Sequence, residues 1–198
     1  MQKIFETLVS SYIQHHVGIA DNFLNQSLAN LLKSHLLSLH TDKLLLAAGT
    51  GNKAMLSHDL LVRSDKIYWL DKLHNNEHEK LFFVLLDEFI TYLNSTCFTG
   101  ITGYEFHYAI YEKGIFYKKH IDQFQNNKDR AFSMIIYLND TWINSDGGEL
   151  CLHHNKHDIQ KINPISGKCI FFNSHKMLHE VLETQVPRLS ITGWLKTN

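Results

Sequence analysis

Tyr111-Glu112-Lys113-Gly114-Ile115-Phe116-Tyr117-Lys118-Lys119-His120-Ile121-Asp122 is the stretch on which the reading of this chain turns. Strands are expected over 104–112 and 115–122, with Gly114 in the turn between them. On an extended segment, residues two apart project from one face, so His120 and Asp122 stand side by side. An imidazole next to a carboxylate supplies two ligands of a 2-His-1-carboxylate set, the donor arrangement that suits Fe(II) with coordination positions left open. The third ligand has to come from another strand. His179 lies in an apolar-alternating stretch ahead of Val181 and is preferred to His175, which falls in the turn before it.

Spacing by itself is weak support in a chain with 14 histidines. His40-Thr41-Asp42 repeats the pattern, but it ends a helical stripe, where residues two apart point in different directions and a cation suits the C-terminal dipole. His153, His154 and His157 sit among Asn155 and Lys156 and read as the solvated tip of a hairpin.

Outward from this stretch, period-two alternation continues. Further strands are expected at about 131–138, 149–153, 169–172, 178–182 and 188–196. Ahead of them come amphipathic helices over 3–16 and 23–40, a strand over 44–48, a loop over 49–60, and Arg63–Leu70 turning back into strand. A mobile flap over a site and a plain surface loop both fit residues 49–60. A helix over 76–94 carries an approximate capping box at Asn76 and Glu79. Its stripe of Leu81, Val84, Leu85, Phe89 and Leu93 is broken at Glu88 and is expected to brace the outer face of a sheet. The fold class is α+β, with the sheet part closing on itself as a jelly roll. One domain is expected over 1–198, a helical support (1–43) followed by the jelly-roll core (44–198); 198 residues, 44% hydrophobic, suffice for one core.

A net charge of -1 leaves no electrostatic footprint for nucleic acid, and no basic cluster points to a membrane surface. No run of 18 apolar residues occurs. Cys97, Cys151 and Cys169 form no CxxC pair, which argues for a reducing compartment and against a disulfide framework or a cysteine zinc site. A cytoplasmic location is expected.

The last strand alternates Arg188, Ser190, Thr192 and Trp194 with Leu189, Ile191, Gly193 and Leu195. One face is apolar. The other carries a guanidinium, two hydroxyls and an indole, which suits the lining of a ligand pocket. If the last two strands pair as a hairpin through Thr184–Pro187, His179 and Arg188 become near-opposite neighbours on one face. Arginine is a planar two-pronged donor, worth roughly 1.5–3 kcal/mol per charged hydrogen bond, and would hold the far carboxylate of 2-oxoglutarate.

Tyr111-x-x-Gly114-x-x-Tyr117-x-x-His120-x-Asp122 is followed by Ile136-Tyr137-Leu138-Asn139, Gly147-Gly148-x-Leu150, His179-x8-Arg188 and Ile191-Thr192-x-Trp194. Together these motifs resemble the prolyl 4-hydroxylase branch of the 2-oxoglutarate/Fe(II)-dependent dioxygenases, especially the oxygen-sensing prolyl hydroxylases and their bacterial relatives. The resemblance covers about residue 44 to the C-terminus. It implies a double-stranded β-helix with His120, Asp122 and His179 on Fe(II). It also implies that Arg188 and Tyr137 bind the C5 carboxylate of 2-oxoglutarate, Thr192 supports that site and Tyr111 approaches the co-substrate, with Trp194 beside them. O2 is then the second co-substrate and ascorbate a stimulant. Arg63-Ser64-Asp65-Lys66-Ile67-x-Trp69 is similar to that branch's Arg-Gly-Asp-Lys-Ile-x-Trp element; by analogy Asp65 pairs with Arg130 and the 49–60 loop closes over a peptide.

Three functions follow from these residues: hydroxylation of a prolyl residue in a protein or peptide, hydroxylation of a free amino acid or other small metabolite, and a cupin-like metal-binding module. Arg188 and Tyr137 count against the third, which needs no dicarboxylate clamp.

Overall fold

The computed structural model describes residues 1–49, 63–122 and 129–197. Two antiparallel sheets face each other, and helices cover the outer face of the larger one. The seven-stranded sheet runs β1(Val17–Ala20)-β9(Cys169–Asn173)-β6(Arg130–Tyr137)-β11(Arg188–Lys196)-β4(Gly103–Tyr111)-β3(Lys66–Trp69)-β2(Leu46–Ala47). The four-stranded sheet runs β5(Tyr117–His120)-β10(Leu178–Val181)-β7(Leu150–His153)-β8(Ile159–Ile162).

Strand alternation sorts the residues into two cores. Phe106, Tyr108 and Ile110 of β4, with Leu189, Ile191 and Leu195 of β11, pack with α1(Gln2–His15), α2(Gln26–Thr41) and α3(Glu77–Cys97). The opposite faces turn Ala109, Tyr111, Ile135, Tyr137, Ile170 and Phe172 toward Leu150, Leu152, Ile162 and Val181 of the smaller sheet. The expected apolar outer face of the last strand is therefore the helix-facing one, and its polar face lies between the sheets.

In α3, Asn76 accepts from the backbone N–H groups of His78 and Glu79. Glu79 does not complete the capping box. Its carboxylate is buried instead against His35 Nε2 (3.4 Å) and His74 Nδ1 (3.3 Å), tying α3 to α2 and to the 3-10 turn Lys72–His74. The buried stripe is Phe82, Leu85, Leu86, Phe89 and Leu93, while the expected Leu81 and Val84 are exposed. This face avoids Glu88 and, with Phe83 beside it, buries three phenylalanines, so it wins the larger transfer free energy.

The strand expected over 44–48 forms at Leu46–Ala47 alone. Two strands have no counterpart in the sequence reading. β1 is a Val-Gly-Ile-Ala run directly after a helix, without alternation, and pairs with β9. Its Gly18 is needed because a Cβ there would lie 2.6 Å from the Leu8 carbonyl oxygen of α1. β8 pairs with β7 beyond the His154–Asp158 turn. The loop expected over 49–60 falls almost entirely outside the described residues.

Gly193 lies on the helix-facing side of β11, where an added Cβ would overlap the Phe106 ring and the Glu105 carbonyl. Gly193→Ala should therefore destabilise the protein by about 1–3 kcal/mol through overpacking. Thermal unfolding followed by circular dichroism should show a drop of several degrees, and an unchanged Tm would mean that the β4–β11 spacing is wrong.

Candidate functional site

β5 and β10 pair antiparallel with His120 directly opposite His179, which brings the two imidazole centroids to 4.2 Å. β5 ends at His120, and Asp122 lies in the bend beyond it. The carboxylate reaches both rings, with Oδ1 3.4 Å from His120 Nε2 and Oδ2 3.7 Å from His179 Nε2. One donor atom from each residue falls within 4.8 Å of the others, a spacing that could hold a metal ion. Among the described residues this is the one such group.

Strand alternation is not what aims Asp122. Ser133 on β6, in the other sheet, donates to Asp122 Oδ2 at 2.6 Å and is itself 2.9 Å from Ser174 Oγ. Sequence reasoning passed over Ser133, whose signal was a hydroxyl inside the apolar run of β6. Each histidine is fixed within its own strand: His120 Nδ1 lies 2.7 Å from the Lys118 carbonyl oxygen and His179 Nδ1 3.0 Å from that of Met177. These carbonyls can only accept, so both Nδ1 atoms carry the proton and both Nε2 lone pairs point at the shared space. Tyr117 stacks on His120 at 3.6 Å and Phe172 packs on His179 at 4.9 Å. The donors, two imidazoles and one carboxylate, suit divalent iron.

The expected hairpin of the last two strands does not form. β10 pairs with β5 and β7, whereas β11 pairs with β4 and β6 in the other sheet. The connection is held elsewhere: the Thr184 N–H donates to Ile115, its carbonyl accepts from Gly114, and Glu183 accepts from Gly148. Those bonds route the chain across the gap. Arg188 consequently faces Tyr111 across β4 and lies in the wall opposite the sheet that carries His179.

Arg188 is 1% exposed. Its Nε donates to the Gly148 carbonyl at 2.8 Å, its guanidinium sits 5.0 Å from the ring centroids of both Tyr111 and Tyr137, and its Nη2 has no hydrogen-bond partner among the described residues. The Tyr137 hydroxyl and Ser190 Oγ are buried and unpartnered too. Gly147 and Gly148 both have positive φ, and a Cβ at Gly147 would overlap the Glu183 carbonyl, so the glycine pair is what lets this turn reach Arg188. A buried guanidinium without an acidic partner is costly, and such groups normally find an anion. A carboxylate placed here would meet Arg188 Nη2 and the Tyr137 hydroxyl. The donor set and these orphaned polar atoms therefore fit a metal and a diacid together.

Of the other expected residues, Thr192 is half-buried opposite His107 and Ile135, and Trp194 is buried with Arg130 stacked over its indole at 3.4 Å. The expected Asp65–Arg130 pair gives way to a different pairing. Asp65 is clamped by Arg63 through bonds of 2.6 and 2.9 Å, while Arg130 contacts Glu105 at 2.8 Å. Arg63 sits two residues before Asp65, close enough for its fork to close on the carboxylate. His175 stays in the turn before β10, and the His154–Asp158 segment forms the hairpin tip. His40 ends α2, 3.5 Å from Glu112.

Burial lowers the His179 pKa to about 4, with Asp122 opposing and His120 reinforcing the shift. Burial alone would raise the Asp122 carboxyl, but His179, His120 and the Ser133 hydrogen bond hold it well below the ordinary range. Burial also pushes the Tyr137 phenol up to about 12, so it stays protonated and able to donate. A histidine whose folded pKa is depressed binds its proton first in the unfolded chain, so stability falls as pH drops below about 6.5 and continues falling toward 4. Metal-free protein should lose about 2 kcal/mol from His179 alone between pH 6.5 and 5. Denaturant titrations across that range check this, and a flat profile would show that His179 is not buried as a neutral base.

A family model, the 2OG-Fe(II) oxygenase superfamily, matches residues 106–196. A Pseudomonas putida prolyl-4-hydroxylase superposes with a TM-score of 0.87 at 27% identity, covering 98% of this chain and 99% of that one. A Trichoplax adhaerens prolyl hydroxylase, solved with a hypoxia inducible factor oxygen degradation domain peptide fragment, gives 0.86 at 27%, over 99% and 90%. The epimerase SnoN from nogalamycin biosynthesis shares the fold at 12% identity, with a TM-score of 0.69 over 99% and 82%. Residues 106–196 thus carry a 2-oxoglutarate/Fe(II) oxygenase domain, and over nearly its whole length the chain is similar to prolyl hydroxylases.

Proposed function

We propose that this 2-oxoglutarate-dependent dioxygenase hydroxylates a prolyl residue in a protein or peptide. The observation that carries the co-substrate half of this reading is the buried Arg188, with a free Nη2 beside the free Tyr137 hydroxyl, in the wall opposite the His120–Asp122–His179 cluster. The prolyl half rests on the two hydroxylases at 27% identity, one of them solved with a peptide. A metal-storage module would have no use for the buried cation. Hydroxylation of a free amino acid is the alternative, with the same metal residues and a different mouth.

In this reading His120, Asp122 and His179 hold Fe(II), and Arg188 and Tyr137 hold the C5 carboxylate of 2-oxoglutarate. Tyr111 packs along the diacid, and Thr192 and Trp194 line the space between it and the substrate. The bound iron, with 2-oxoglutarate and O2, supplies an oxidant strong enough to hydroxylate an unactivated C–H bond, releasing succinate and CO2. The protein's own part is position and exclusion of water. The Lys118 and Met177 carbonyls keep both Nε2 lone pairs aimed inward, Ser133 keeps Asp122 turned to the site, and the interior cluster around Ile135, Leu152 and Phe172 keeps it dry. We read residues 1–198 as one domain, its two sheets as the halves of a double-stranded β-helix. The three free cysteines accord with a reducing, cytoplasmic setting.

Succinate release from 2-oxoglutarate in the presence of iron and ascorbate tests the reading directly. Asp122→Ala should abolish it, and undiminished turnover would remove the metal assignment. Arg188→Ala should raise the 2-oxoglutarate requirement by at least ten-fold, the loss expected for about 1.5–3 kcal/mol of charged hydrogen bonding. An unmoved titration curve would exclude Arg188 as the clamp. Ser133→Ala should weaken Mn(II) binding about 10–100-fold, as loss of a bond behind a ligand does; calorimetry showing parental affinity would make that hydroxyl incidental.

A further inference from the structure

His107 projects from β4 into the space between the sheets, and neither the metal nor the diacid accounts for it. It is 1% exposed, and among the described residues both of its ring nitrogens lack a hydrogen-bond partner. Its ring is wedged between two indoles, 5.0 Å from Trp69 and 5.6 Å from Trp194, which are 6.4 Å from each other. Trp69 is 46% exposed, so one corner of this triangle of rings reaches the surface while His107 lies at its buried corner. A buried imidazole with two unmet nitrogens is destabilising unless something else completes it.

We propose that His107 is a specificity-determining residue that hydrogen-bonds a neutral backbone amide next to the reacting residue, selecting a peptide over a free amino acid. The inference rests on the oxygenase reading above. Burial, with Arg63 and Arg130 nearby, keeps the imidazole neutral against the opposing pull of Asp122, so one nitrogen donates and the other accepts. A peptide amide carries the matching acceptor and donor. A free amino acid brings a carboxylate, and the cations beside the slot are already engaged, Arg63 by Asp65 and Arg130 by Glu105. The flat sides of the two indoles suit a pyrrolidine ring, and the imidazole at the base suits the secondary amide that follows it in the chain, since the prolyl nitrogen itself carries no hydrogen.

The test uses protein loaded with Mn(II) and 2-oxoglutarate, so that nothing turns over. Two probes are titrated by quenching of indole fluorescence: free L-proline, and an N-acetylated, C-amidated pentapeptide with proline at its centre and alanine elsewhere. The parent protein should bind the pentapeptide in preference to proline. His107→Leu should weaken the pentapeptide about ten-fold while leaving calorimetric 2-oxoglutarate affinity within about two-fold, and His107→Gln should recover most of the loss. Because leucine removes two unmet polar atoms, the Tm of metal-free His107→Leu should equal or exceed the parent's. Undiminished pentapeptide affinity in His107→Leu overturns the role of His107 and leaves the prolyl hydroxylase reading standing. A parent that binds proline better, or binds neither probe, overturns both the amide-recognition role and the peptide reading. A fall in Tm accompanied by loss of 2-oxoglutarate affinity would make His107 structural and overturn the proposal as well.

Discussion

The site depends on one hydrogen bond that crosses the gap between the sheets. Asp122 leaves the smaller sheet at the end of β5, and Ser133 on the larger sheet catches its carboxylate at 2.6 Å. Both histidines belong to the smaller sheet, and Arg188 belongs to the larger. The distance between the metal-binding face and the guanidinium is thus set by how the sheets stack, and the Ser133–Asp122 contact registers one against the other. Alternation along β4, β6, β9 and β11 then does the rest, sending apolar residues to the helices and the functional ones inward.

Much of this was legible in the sequence because period-two patterning survives wherever one strand face is buried against helices. The strands carrying His179, Tyr137, Tyr111 and Arg188 fall within a residue or two of their expected limits. The gathering of His120, Asp122 and His179 was legible also, though not the reason for it. Alternation along a strand suggested the pair; a bend and a hydroxyl from another sheet produce it. Hidden from the sequence were the facts that depend on which strands pair. The β10–β11 hairpin was the economical guess for strands separated by a short connection, and the backbone bonds of Thr184 to Gly114 and Ile115 overrule it. Asp65 could be assigned to Arg130 by analogy, yet a guanidinium two residues away closes on it sooner.

The interior also shows where stability has been set aside. Arg188 Nη2, the Tyr137 hydroxyl, Ser190 Oγ, Trp194 Nε1 and both nitrogens of His107 are buried without hydrogen-bond partners among the described residues, and all lie on the same side of the larger sheet. The helix-facing side holds fewer such atoms, the Tyr104 and Tyr108 hydroxyls and Glu79 Oε1, in a core that is otherwise mostly hydrocarbon. Polar atoms that no protein group satisfies are a reservoir of binding free energy. Each is desolvated in advance, so a ligand that completes it gains without the protein having to reorganise.

The connection from His179 to Arg188 carries a consequence for the chemistry it can accept. Because it climbs from one sheet to the other and is stapled at Thr184 to both the Gly114 and Gly147 turns, it behaves as a caliper of fixed opening. One jaw is the imidazole, the other the guanidinium. In the function proposed above the diacid spans that opening, so the routing of the backbone between the two jaws limits the length of acid that can reach both.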